Sequence, residues 1–105
     1  MAVVYLFAHF DDEYCALPLV TAGVAAGEDQ HFLYVADYAT PELARRRFEE
    51  TRALLAHLGA DPDRAIHVGA GTGALDGAVH RALPAAYAAI RAALRRIGPV
   101  SRIVA

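Results

Sequence analysis

The chain has 105 residues, 56% hydrophobic and 21% charged, with a formal net charge of −2, which is the size of one domain and the composition of a packed core. Weak acidity argues against a nucleic-acid or anionic-membrane surface, the single cysteine excludes an internal disulfide and a Cys-based zinc cluster, and all ten basic residues are arginine, which excludes lysine chemistry. No apolar run reaches the roughly 18 residues of a membrane span, and Met1–Phe10 lacks the basic start of a signal peptide, so the expectation is a reduced, cytoplasmic chain with neither a membrane span nor a nucleic-acid partner.

Ala2–Ala8 (AVVYLFA) is a continuous apolar run rich in β-branched and aromatic residues. It is too short for a free-standing helix and predicts a strand buried on both faces. His9-Phe10-Asp11-Asp12-Glu13 follows directly. Tyr14–Ala26 has helical length, with Gly27 as a stop. Pro18 inside it predicts a kink, or a first turn that begins later than Asp12. Gln30–Ala36 (QHFLYVA) predicts a second strand. Thr40-Pro41-Glu42 reads as an N-cap, a proline at the first helical position and a first-turn acid. The helix they open should run to about Leu58 and end at Gly59. Its expected buried stripe is Leu43, Phe48, Leu54, Leu55 and Leu58. Arg45, Arg46, Arg47, Glu49 and Glu50 fall on the solvated face, spaced to pair.

Ala65–Val68 predicts a short third strand, and Gly69–Gly77 (GAGTGALDG) a glycine-rich loop. Val79–Ile97 is a third helical stretch whose true start is marked by Pro84, and Val100–Ala105 (VSRIVA) begins a fourth strand. Strands and helices alternating at this spacing predict βαβ units on a parallel sheet, a three-layer α/β architecture. Ligands of such sheets sit outside the carboxyl ends of the strands, where strand order reverses. The loop His9–Glu13 is therefore the natural site.

That loop sets one imidazole and three carboxylates within five residues. His9 and Asp12, three positions apart on a strand-to-helix turn, can point at one ion. Nitrogen and carboxylate oxygen suit zinc, whose catalytic sites take three protein ligands and a water. Asp11 is free to accept a proton from a metal-activated water. Glu13 stands where a helix dipole favours an anion, or orients His9 through its second ring nitrogen. Residue types alone favour a structural reading, in which Asp-Asp-Glu does no more than cap a helix start.

Ala8-His9-Phe10-Asp11-Asp12-Glu13, directly after an N-terminal apolar strand, resembles the AHPDDE signature of the LmbE/PIG-L family of zinc-dependent N-deacetylases. Phe10 stands in place of the usual proline, at a position that supplies neither ligand nor base. The family also tends to carry R-x-x-E in the second helix followed by Leu-Gly; Arg47, Glu50 and Leu58-Gly59 fit that pattern. The resemblance covers essentially the whole chain. It implies a Rossmann-like three-layer sandwich with a parallel sheet, zinc (or another divalent metal) held by His9 and Asp12, and Asp11 as the general base. It further implies that Arg47 and Asp76 contact a small N-acetylated sugar or conjugate. The implied reaction is hydrolysis of the N-acetyl group of a glucosamine-type sugar or related amide, with metal-activated water attacking the carbonyl.

In that family a third zinc ligand, a histidine in a G-H-x-D-H-like stretch, follows the fourth strand, as does a histidine that helps stabilise the oxyanion. Ala105 falls inside or at the end of that strand. The expectation is that residues 1–105 are the N-terminal part of a single deacetylase domain, truncated after the fourth strand, with little or no activity unless another chain donates a ligand. A last strand without its covering helix leaves an apolar edge open, a route to a homo-oligomer. The alternative is a non-catalytic α/β module that binds a sugar or nucleotide, or pairs through that edge.

The remaining candidates have blander readings. His31 is expected at the far end of the sheet, His57 solvated, His67 packed within the third strand, and His80 at the start of the third helical stretch. Cys15 reads as a small buried side chain on an apolar helix. The glycine-rich loop lacks the lysine and the third glycine of phosphate-binding motifs and reads as a flexible loop bordering a pocket. Tyr34 and Tyr38 flank the end of the second strand as core or rim.

Overall fold

The computed structural model describes all residues, Met1–Ala105. Four strands, β1 (Ala2–Phe7), β2 (Asp29–Tyr34), β3 (Ala65–Ile66) and β4 (Val100–Val104), alternate with three helices, α1 (Leu17–Ala25), α2 (Pro41–His57) and α3 (Leu83–Ile97). The strands form one sheet in the order β3-β2-β1-β4, and every pairing is parallel. The expected α/β class with a parallel sheet is thus what the chain adopts. No helix is long and apolar enough to cross a membrane.

The pleat of β1 divides the core. Val3, Tyr5 and Phe7 pack with Val20 of α1 and Leu55 of α2 on one face, while Val4 packs with Leu33 and Ala93 of α3 on the other. Helices therefore cover both faces, and strands buried on two sides read as unbroken apolar runs. Aromatic side chains fill the first face: Tyr5 stacks on Phe32 with ring centroids 5.2 Å apart, and Phe7 meets Tyr34 at 5.5 Å. A one-residue slip of β1 would exchange the two sets, so its register is strongly specified.

Element boundaries follow local chemistry. Residues Asp12–Ala16 form a 3₁₀ turn, and α1 begins only at Leu17, with Pro18 in its first turn. A proline lacks an N–H, which the first turn does not need. Pro84 likewise opens α3, behind a 3₁₀ turn at Val79–Ala82. Thr40 precedes α2 as expected but makes no side-chain cap bond. Gly59 ends α2 with φ +87°, a left-handed backbone that favours glycine. Strand β2 stops at Tyr34 and β3 at Ile66, both earlier than their apolar runs, so His67 lies just past β3.

Three side-chain expectations fail here. Leu43 is 40% exposed, and Thr51 takes the buried place on α2 beside Leu55. Arg45, Arg46 and Arg47 form no ion pair with Glu49 or Glu50; Arg47 instead reaches Asp11. Cys15 is exposed rather than buried, because the 3₁₀ turn rotates it out of the face that α1 presents to the sheet.

Candidate active site

Strands β2 and β3 step away from β1 on one side, and α3 carries the chain back to place β4 on the other. Strand order reverses between β1 and β4, and the loop leaving β1 at that reversal is His9–Asp11. This is the position where open α/β sheets bind ligands.

Phe10 anchors the loop. It is buried against Tyr34, Tyr38, Phe48 and His67, with ring centroids 4.9–5.3 Å away. The phenyl ring thus fixes the loop by packing where a proline would fix it by its ring. The neighbour, Asp11, has φ 73° and ψ −5°, the chain's one non-glycine residue with positive φ. Such backbone costs free energy and persists where surroundings over-determine it. Here the Asp11 N–H donates to Thr51 Oγ1 at 3.2 Å, and the Phe10 N–H to the Tyr38 hydroxyl at 3.4 Å.

Glu13 stands in the first turn of the 3₁₀ helix Asp12–Ala16, as expected, but it does not touch His9. It is fully buried, accepting from the Tyr34 hydroxyl at 3.1 Å and from Thr51 Oγ1 at 3.2 Å. Burial pushes its carboxyl above the ordinary value of 4.5, against the hydrogen bonds that favour the charged form. Burial also raises the Tyr34 phenol far above its ordinary range, and the Glu13 charge adds to the shift. Tyr38 is raised as well, chiefly by burial. The Thr51 hydroxyl thus links the Asp11 backbone to Glu13, a role that nothing in the α2 sequence signals.

His9, Asp12 and Asp76 come together at the rim. The His9 N–H donates to Asp12 Oδ2 at 2.8 Å, and His9 Nδ1 lies 3.7 Å from that same oxygen. His9 Nε2 lies 2.6 Å from Asp76 Oδ1. Arg47 Nη1 is 3.5 Å from Asp11 Oδ2. His9, Phe10, Tyr38, Leu43, Arg47 and Asp76 line a recess of about 250 Å³. All five residues singled out in the sequence therefore border one small region.

No family model, curated protein or solved structure matches the chain.

For a divalent ion, His9 Nδ1 and Asp12 Oδ2 are a nitrogen and an oxygen donor 3.7 Å apart, close to the ~3.4 Å between two ligand atoms on a tetrahedral zinc. They fit as two donors of a metal site. No three His, Cys, Asp or Glu side chains are grouped to hold a metal. His31 is engaged elsewhere, 3.2 Å from Asp29 and 2.7 Å from Arg64, and His67 Nε2 meets the Ala36 carbonyl at 2.7 Å. His57 and His80 are exposed.

The glycine-rich loop is tied down rather than free. Asp37 Oδ2 accepts the Gly73 N–H, the Asp37 N–H donates to the Ala74 carbonyl, and the Asp37 carbonyl accepts the Asp76 N–H. At Gly69 a Cβ would meet the Val35 carbonyl oxygen at 1.9 Å, so only glycine lets the loop pass this close to the chain leaving β2.

Proposed function

We propose that this chain carries a metal-dependent amide-hydrolysing site of the LmbE/PIG-L type, acting on the N-acetyl group of a glucosamine-type sugar or related conjugate. The observation that carries the reading is the meeting of His9 and Asp12 beside Asp11 at the strand-order reversal, in the order that the AHxDDE motif sets. His9 and Asp12 would hold the ion, zinc or another divalent metal. When bound, the ion supplies polarisation of the amide carbonyl and eases deprotonation of water.

The chain's own groups do the rest. The Asp11 carboxylate takes the proton of the attacking water at an Oδ atom and delivers it to the leaving amine. Its backbone is locked by Thr51, and Arg47 restrains its Oδ2 from the recess side. Arg47 and Tyr38 present a cation, a hydroxyl and an aromatic face to a polar ligand in the recess. With two donors from the chain, metal affinity is expected to be low.

The test uses the chain with zinc or cobalt(II) in excess and N-acetylglucosamine as probe. Amide shifts on sugar addition are expected at Phe10, Tyr38 and Arg47. With two donors from the chain, acetate release is expected to be slow; whatever release is measured should depend on metal and fall by roughly 10²–10⁴-fold in Asp11→Asn. Shifts confined to another face, or acetate release that Asp11→Asn leaves unchanged, would defeat the reading. Equal metal uptake by wild type and Asp12→Ala would favour a non-catalytic sugar- or nucleotide-binding module.

A further inference from the structure

Asp76 is 67 positions from His9 in sequence, yet its Oδ1 lies 2.6 Å from His9 Nε2. We infer that Asp76 is a positioning residue: it holds His9 in the tautomer with its proton on Nε2, so that the bare Nδ1 faces Asp12 as a metal donor. The consequence for metal affinity rests on the metal reading above; the tautomer does not.

An ionised carboxylate can only accept hydrogen bonds, so the hydrogen in this short contact belongs to Nε2. In the neutral ring Nδ1 then carries a lone pair. It lies 3.7 Å from Asp12 Oδ2, an oxygen held in place by the His9 N–H at 2.8 Å. In that tautomer two lone-pair atoms would face each other with no proton between them. That arrangement repels itself unless a cation sits between the two, and a carboxylate behind a metal-binding histidine both fixes the ring and raises its basicity.

The carboxylate is delivered by a built loop. Asp37 bonds to the backbone of Gly73, Ala74 and Asp76, and Asp37 and Leu75 form a parallel bridge. Asp76 is thereby fastened to the chain leaving β2 while its side chain spans to the loop leaving β1. A contact to substrate through Asp76 would have to use the oxygen that His9 leaves free.

The whole chain, Met1–Ala105, is titrated with zinc by calorimetry. Asp76→Ala is expected to weaken zinc binding by roughly 10–100-fold, and Asp76→Asn, which keeps an oxygen acceptor, to recover most of it. Long-range nitrogen–proton spectra of the metal-free chain are recorded at about pH 8.5, above the range in which histidines titrate. His9 is expected as the Nε2–H tautomer in wild type and Asp76→Asn, and as a mixture in Asp76→Ala. Where wild type binds zinc more tightly than Asp12→Ala, equal affinity in Asp76→Ala or an unchanged ring spectrum would overturn the role of Asp76 and leave the metal reading standing. Where wild type binds zinc no better than Asp12→Ala, the metal reading falls. The ring spectra then decide Asp76 alone: a changed tautomer in Asp76→Ala supports its role and an unchanged one overturns it. The Asp76 side chain is 58% exposed on a loop, so circular dichroism of the variants should match wild type.

Discussion

The Thr51 hydroxyl accepts the backbone N–H of Asp11 at 3.2 Å, fastening the one left-handed non-glycine residue of the chain to the middle of α2. The same oxygen donates to buried Glu13, so one side chain serves both the turn and the carboxylate beneath it.

Thr51→Val keeps the shape and removes the hydroxyl. It leaves the Asp11 N–H and Glu13 Oε1 each short of a partner, at a cost of about 1–3 kcal/mol per buried group. Thr51→Ser should retain most of the stability. Urea unfolding midpoints compare the three; equal midpoints for valine and wild type would contradict the link.

Strain at Asp11 is measurable against a matched pair. Asp11→Gly and Asp11→Ala both lose the carboxylate, but only alanine keeps the penalty of φ 73°. The glycine variant is expected to be the more stable by about 1–2 kcal/mol. Chemical denaturation of the two variants checks the sign and size.

Phe10→Ala empties the centre of an aromatic cluster formed with Tyr34, Tyr38, Phe48 and His67. Loss of such a buried ring costs about 3–5 kcal/mol, a large share of the stability of a domain this size. Phe10→Leu should cost less. Thermal melts of the three proteins give the order.

Alkaline pH probes the Tyr34–Glu13 contact. The Tyr34 phenol is raised above its ordinary 10.0 in the folded chain, first by burial and then by Glu13. A raised acid contributes stability that is fully present below its unfolded value and lost as pH climbs above it, because the unfolded phenol ionises first. Above pH 10.0 wild type should lose stability relative to Tyr34→Phe, by up to about 1.4 kcal/mol per pH unit. Urea midpoints between pH 9 and about 11.5 follow the difference, which should be flat below the transition.

Cys15 is exposed on the 3₁₀ turn. One thiol per folded chain should react with a disulfide reagent without denaturant, and Cys15→Ser should change stability by less than about 0.5 kcal/mol. A thiol that reacts only in denaturant would contradict this placement.

Much of the frame is legible from local chemistry. Pro18, Pro84 and Gly59 mark helix limits because ring closure and left-handed backbone are local constraints, and the apolar runs of β1 and β2 mark strands buried on both faces. The place of the loop that opens at His9, beside the strand-order reversal, is legible for a different reason: the alternation of strands and helices predicts that topology. What stays hidden depends on partners distant in sequence. Glu13 reads as a helix-start acid until Tyr34 and Thr51 are seen to enclose it. Thr51 lies in an arginine- and glutamate-rich helix, where a threonine signals nothing. Asp76 sits in a glycine-rich stretch whose fastening by Asp37 is a tertiary bond. Cys15 reads as a buried side chain because apolar residues surround it in sequence, whereas the 3₁₀ winding of its segment, set by contacts around the loop, leaves it exposed.

Parallel pairing of the two neighbouring strands β1 and β4 gives the molecule a polarity that probes can exploit. Ala2 donates to the Pro99 carbonyl at one rim, while Val104 and Ala105 lie with Asp12 and Cys15 at the other. A fluorophore attached at Met1 therefore stands a full strand length from the loop that leaves β1, whereas one attached at Ala105 or Cys15 reports from the rim that Asp12 shares. A label pair on residues 1 and 15 is a ruler laid along the sheet, with its far end on the site.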